Sequence, residues 1–119
     1  MGKKISTAEL KVMNIIWERP DINAREVVDE MKKLEDWNKN TTYTLLKRLI
    51  EKELIKREEP NFSCSPLVSR EEITYNETVS FLDKLYNGSF KLMISSFLSQ
   101  ENISEKELEE IKRIIEEKK

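Results

Sequence analysis

The 119-residue chain has no histidine, one cysteine, two glycines and three prolines. Each shortage closes off a class of function. Without His, the commonest general base and the commonest transition-metal ligand are both missing. A single thiol, Cys64, makes neither an internal disulfide nor a cysteine-cluster metal site, and it fits a reducing cytoplasm. Gly2 and Gly88 stand alone, so there is no glycine-rich phosphate loop. No apolar run approaches the ~20 residues that span a bilayer, and the N-terminus has no signal-like pattern. The expectation is a cytoplasmic protein that is not an enzyme. It has no catalytic residues, no metal, no cofactor and no membrane insertion. Cys64 reads as a small hairpin residue, with nothing in the sequence to depress its pKa.

What is present suits a small helical protein. Leu, Ile, Val and Phe make up 33 of the 119 residues, well above the ~20% below which disorder is expected. The length allows one domain, or a small domain with an appendage. The net charge of −2 looks wrong for a nucleic-acid binder until the chain is divided. Residues 1–70 carry +2 and residues 71–119 carry −4. A weak basic excess therefore sits in the first half.

The most informative segment is Asn38 to Lys52. Leu45, Leu46, Leu49 and Ile50 share one side and are predicted to bury there. The other side carries Asn40, Thr41, Tyr43, Thr44 and Lys47. It is short-armed and neutral at its start and cationic further on. That order suits reading base edges with the first turn and gripping phosphates with the next. Before it, Ile22–Leu34 reads as a helix capped by Asn23 with Glu26 as its box partner. Val27, Met31 and Leu34 form its buried stripe, and Glu35-Asp36-Trp37 turns the chain. Two helices joined by a short turn make a helix-turn-helix. After it, Leu54–Glu58 and Phe62–Ser65 flank Glu59-Pro60-Asn61, which predicts a small β-hairpin. A first helix from Thr7 to about Glu18 is capped by Ser6 with Glu9. Its Leu10, Met13, Ile16 and Trp17 cover the other two helices, and Pro20 stops it.

Helix-turn-helix plus hairpin is a winged helix, predicted over residues 1–68. Lys39, Lys47, Arg48, Lys52, Lys56 and Arg57 form its cationic strip. Residues 69–119 are predicted as three further helices. Ser69 with Glu72 and Ser104 with Glu107 mark two of the starts, and Gly88 breaks the chain between the first and second. Their apolar stripes are too many to hide within fewer than 50 residues, which argues for a partner subunit, most simply a second copy. The fold class is mainly α: a winged helix-turn-helix with a small β-hairpin wing, followed by a three-helix dimerisation domain.

The order of parts resembles the penicillinase repressors of the BlaI/MecI type, to which the copper-responsive CopY repressors are related. The resemblance is carried by Ile5–Glu9, Val12–Trp17, Trp37, Thr41–Leu49, Phe81–Gly88 and the helix from Ser104 to Ile115, and it covers essentially the whole chain. It implies a dimeric repressor of resistance genes that sits on palindromic double-stranded operator DNA. It also implies release by proteolysis, triggered through a membrane-bound β-lactam sensor. The expected DNA-binding residues are Lys39, Asn40, Thr41, Thr42, Tyr43, Thr44, Lys47, Arg48, Lys56 and Arg57. The expected dimerisation residues are Phe81, Leu85, Phe90, Met93, Ile94, Phe97, Leu108, Ile111 and Ile115. The bond matching the family's Asn-Phe cleavage point is Ser96-Phe97. Tyr43 stands where the family tends to carry Arg or Gln, and the wing turn Glu58–Asn61 is short and acidic. The chain lacks the C-terminal cysteine cluster of the copper branch. The rival reading is a winged helix that docks another protein and binds no DNA.

Overall fold

The computed structural model describes residues 4–119. In chain order the elements are α1 (Thr7–Glu18), β1 (Ile22–Asn23), α2 (Ala24–Glu35), α3 (Lys39–Glu51), β2 (Ile55–Glu58), β3 (Ser63–Pro66), α4 (Arg70–Tyr86), α5 (Phe90–Gln100) and α6 (Glu105–Lys118). The chain forms two compact units that divide inside α4, between Thr78 and Val79.

The first unit is a winged helix built around one core. α1 begins with a complete capping box: the Ser6 hydroxyl accepts from Glu9 N–H, and the Glu9 carboxylate accepts from Ser6 N–H. Its Val12, Met13, Ile15 and Ile16 are buried, while Leu10 and Trp17 pack at the edge of the core. α2 adds Ala24, Val27 and Met31, and α3 adds Leu45, Leu46 and Leu49. The sheet supplies Ile22, Ile55 and Cys64. Asp36 ends α2 in the left-handed conformation, which reverses the chain into α3 within a few residues. α4 starts in this unit too. Ile73 is buried in the core, the Trp17 indole donates to the Val68 carbonyl at 2.9 Å, and Arg70 donates to Asn14 Oδ1 at 2.6 Å.

Several sequence expectations change here. Leu34 is 63% exposed, so the α2 stripe ends at Met31; Leu34 lies in the last turn of α2, where the contact with α1 is the surface ion pair of Glu35 with Lys11. Asn23 does cap α2, accepting from Glu26 N–H at 2.9 Å, but the Glu26 carboxylate pairs with Arg19 at 2.5 Å. The hairpin is also part of a three-stranded antiparallel sheet in the order β1-β3-β2. The extended backbone of Ile22 and Asn23 pairs with Cys64 and Ser63 as it enters α2. A two-residue strand is too short for alternation to reveal.

The second unit is three helical segments. Ser89 and Ser104 cap α5 and α6 by accepting from Leu92 N–H and Glu107 N–H. α4 closes with Asn87 and Gly88 both left-handed, and Gly88 N–H reaches the Leu82 carbonyl at 2.9 Å. A Cβ at Gly88 would lie 3.2 Å from an Asp83 carboxylate oxygen, so position 88 favours glycine on two counts. No side chain from Val79 to Lys119 is buried.

Candidate nucleic-acid interface

α3 presents two contrasting faces. Thr42, Leu45, Leu46 and Leu49 point into the core. At about 100° per residue, Asn40, Thr44, Lys47 and Glu51 then lie along the middle of the outer face. Tyr43 flanks that line on one side and Thr41 with Arg48 on the other. Asn40, Thr41, Thr44, Lys47 and Arg48 are exposed, as is Lys39 at the start of the helix.

The helix start is fixed by Asn38. Its Oδ1 accepts from Thr41 N–H at 2.9 Å and from the Thr41 hydroxyl at 3.1 Å. Thr41 is thus held in one rotamer, with its methyl group and hydroxyl lone pairs left to the outside. Thr42 departs from the expected DNA face. Its side chain is 0% exposed and its hydroxyl has no hydrogen-bond partner among the described residues. One residue after Thr41 is a rotation of about 100°, which carries Thr42 from the surface to the core. Lys52 also leaves the expected strip. Its ammonium donates to the buried Glu9 carboxylate at 2.7 Å and to the Lys4 carbonyl at 3.0 Å.

The wing is tied to α3 by aromatic contact. Phe62, at the wing turn, has a left-handed φ of 49° and aims its ring at Tyr43, with centroids 6.0 Å apart. The Arg57 guanidinium lies 3.8 Å over the other side of this system, on the Phe62 ring. A bulky residue in that conformation costs of order 1–2 kcal/mol, offset here by a stack that joins the hairpin to the recognition helix. Behind the stack lies a cleft of about 600 Å³ lined by Arg25, Lys39, Tyr43, Arg57, Glu59 and Phe62, among others.

The cations of α3 and of the wing differ in how they are held. Lys39, Lys47 and Arg48 make no ion pair among the described residues, whereas Lys56 pairs with Glu58 at 3.8 Å and Arg57 with Glu59. Cys64 is fully buried, and its thiol donates weakly to the Phe62 carbonyl at 3.8 Å. Burial pushes that thiol up to about 11, with nearby Arg57 only partly opposing it, so the reactive thiolate is suppressed.

Two features of this face were not read from the sequence. Arg25 sits in the first turn of α2 and lines the cleft beside Lys39. A cation where the helix dipole favours an acid was the available signal. Glu51 ends the outward line of α3, in register with Lys47 and Thr44, and its i+4 spacing from Lys47 was equally legible.

Of the expected dimerisation residues, Phe81, Leu85, Phe90, Phe97, Leu108 and Ile115 are exposed, and Met93, Ile94 and Ile111 are half-buried. Ser96 and Phe97 lie inside α5, both exposed, and the Ser96 carbonyl accepts from the Ser99 hydroxyl at 2.8 Å.

The sequence model of the penicillinase repressor family matches residues 5–117. The methicillin resistance regulatory protein MecI of Staphylococcus aureus N315 is 35% identical over 117 residues, spanning 97% of this chain and 95% of that protein. The penicillinase repressor of Bacillus licheniformis is 35% identical over 118 residues, spanning 98% and 92%. Among solved structures, the DNA-binding domain of the repressor BlaI matches with a TM-score of 0.55 at 36% identity, over 60% of this chain and 93% of that one. The monomeric form of Bacillus licheniformis BlaI in complex with the blaP half-operator matches with a TM-score of 0.52 at 37% identity, over the same shares. These relatives are repressors and a resistance regulatory protein. The chain belongs to the penicillinase repressor family.

Proposed function

We propose that this protein is a cytoplasmic, dimeric transcriptional repressor that binds near-palindromic double-stranded DNA through α3 of each subunit. The regulated genes are a β-lactamase or related resistance operon. The winged helix through residue 68 contacts DNA, and the helices from residue 69 onward join two subunits. The observation that carries this reading is the outer face of α3, with neutral hydrogen-bonding groups in its first turn and, after them, cations that make no ion pair among the described residues. A winged-helix relative at 37% identity has its structure solved on a half-operator. Asn40, Thr41, Tyr43 and Thr44 take base edges, and Lys39, Lys47 and Arg48 take phosphates. Lys56 and Arg57 reach the backbone from the wing. The buried Thr42 supports α3 from beneath.

Release follows a membrane-bound sensor pathway that ends in cleavage near Ser96-Phe97. The exposed side chains of both residues support this, as does the shortness of α5, an 11-residue helix with no buried side chain. An isolated helix of that length is marginal in water, so it can open for a protease.

The test is binding by the full chain to a duplex selected on it from a random-sequence library. Expected are a log–log salt dependence and two protected half-sites centred about 34–36 Å apart, or a multiple of that. A single asymmetric half-site at full occupancy would refute the dimeric reading. No salt-sensitive duplex binding at all would favour the protein-docking alternative.

A further inference from the structure

The wing carries two cations, and both are already paired within the wing. Lys56 and Glu58 share one face of β2, while Arg57, on the other face, pairs with Glu59, the first residue of the turn after the strand. The cations of α3 have no such partner among the described residues. Arg57 is further held by Phe62, whose ring packs on Tyr43. Glu59 therefore sits beside the one wing cation that is fixed against the recognition helix.

We propose that Glu59 is a specificity-determining residue: by neutralising Arg57 it removes one phosphate grip per subunit from non-specific DNA binding. This rests on the proposed DNA-binding function. Non-specific affinity comes from phosphate neutralisation, with a log–log salt slope of about −0.9 per phosphate contacted. A guanidinium that keeps its own carboxylate adds little to that term on any sequence. Base-edge contacts from Thr41, Tyr43 and Thr44 are untouched, so the ratio of specific to non-specific binding rises. The pair is also easily parted, because both side chains are about half exposed, at 48% and 59%, and such surface pairs are weak. On a correctly seated site a phosphate can replace the Glu59 carboxylate, while Phe62 keeps the guanidinium in place. Glu58 does the same for Lys56 more loosely, at 3.8 Å and without an aromatic platform.

The experiment compares the wild-type chain, Glu59→Gln, Arg57→Ala and the double variant. Fluorescence anisotropy is read with a random-sequence duplex and with the library-selected duplex, from low to high KCl. Glu59→Gln should tighten binding to the random duplex by about two- to fivefold per subunit near 0.1 M salt, the most that a weak surface pair withholds, and steepen the salt slope by up to about 0.9 per subunit. Its gain on the selected duplex should be smaller, so selectivity falls. Arg57→Ala should abolish the gain in the Glu59→Gln background, and in the wild-type background it should weaken the selected duplex more than the random one. Unchanged or weaker random-duplex binding by Glu59→Gln overturns the inference while leaving the function intact. A wild-type chain that binds neither duplex overturns the proposed function and this inference with it. Thermal melting of each variant confirms that the wing stays folded.

Discussion

Up to Thr78 the described residues enclose fifteen buried apolar side chains, from Val12 to Ile73. From Val79 onward none is buried, and Phe81, Leu85, Phe90, Phe97 and Ile115 are each about half exposed in the single chain. Composition does not explain the contrast, since α5 is among the most apolar segments of the chain. The difference lies in layers. The first unit closes its helices and a three-stranded sheet around one core, whereas the second has three helical segments whose apolar residues are at best half-buried. An apolar face of that extent in a monomer is a liability, and in a C2 dimer it is the interface. The winged helix closes a core of its own, whereas the helical region leaves its apolar residues at best half-buried in the single chain, and the proposed dimer would cover them.

The largest expected effect comes from removing the second region. A chain ending at Ser96 loses half of the α5 stripe and all of α6. Sedimentation should find it monomeric, with the winged helix still folded. Operator affinity should fall about 10²- to 10⁴-fold, because each recognition helix loses the effective concentration supplied by its neighbour. A tight dimer with undiminished operator binding would rule out release by cleavage, wherever the cut falls. Next come single core and interface truncations. Leu46→Ala, at a fully buried position of α3, should cost about 2–5 kcal/mol in a melting transition that does not depend on concentration. Phe97→Ala should instead shift a transition that does depend on concentration, leaving the winged-helix transition in place. If both variants respond identically to dilution, the two regions are not built as differently as their burial implies.

A smaller effect separates the two ends of α3. Thr44→Ala should cost about 1–3 kcal/mol on the selected duplex and relax preference at one base pair. Lys47→Ala should weaken all duplexes and flatten the salt slope by about 0.9 per subunit. Competition titrations at two salt concentrations distinguish these outcomes.

Much of this was legible in the sequence, for physical reasons. The expected caps Ser6, Asn23, Ser69 and Ser104 all lie at helix starts, because a short polar side chain answers a purely local demand. The inward line of α3 was legible because a 3.6-residue period needs only a dozen residues to show. Leu34, Lys52, Thr42 and Glu59 were harder, because their environments are set by residues far away in the chain or by rotation at a helix edge. Lys52 carries the same charge as Lys47. The Glu9 carboxylate, 43 residues earlier, and the Lys4 carbonyl turn it inward. The Arg57–Phe62–Tyr43 stack likewise depends on the left-handed φ at Phe62, which no propensity favours for an aromatic residue.

The smallest effect is a pH dependence confined to the first unit. Glu9 is almost completely buried at the start of α1. Burial alone would raise its carboxyl, but hydrogen bonds from Lys52 and from the Ser6 backbone and hydroxyl, with the Lys52 charge, together hold it below the usual 4.5. A folded-state pKa below the unfolded one means that the unfolded chain binds the proton more readily. The contribution is therefore complete above the unfolded value of 4.5 and is lost as pH falls through the lower folded value. Lys52 is about one-third exposed, which screens its half of the pair. Glu9→Gln should therefore cost about 1–2 kcal/mol at pH 7, in the range of a charge-assisted hydrogen bond. The cost should shrink toward zero in melts taken at progressively lower pH, since the wild-type carboxyl is then protonated as well. The capping contact from Ser6 survives in both, because the amide oxygen of Gln can still accept. A Glu9→Gln deficit that stays constant from pH 7 down to pH 3 would mean that the ion pair with Lys52 contributes nothing, and that α1 and α3 are joined by packing alone.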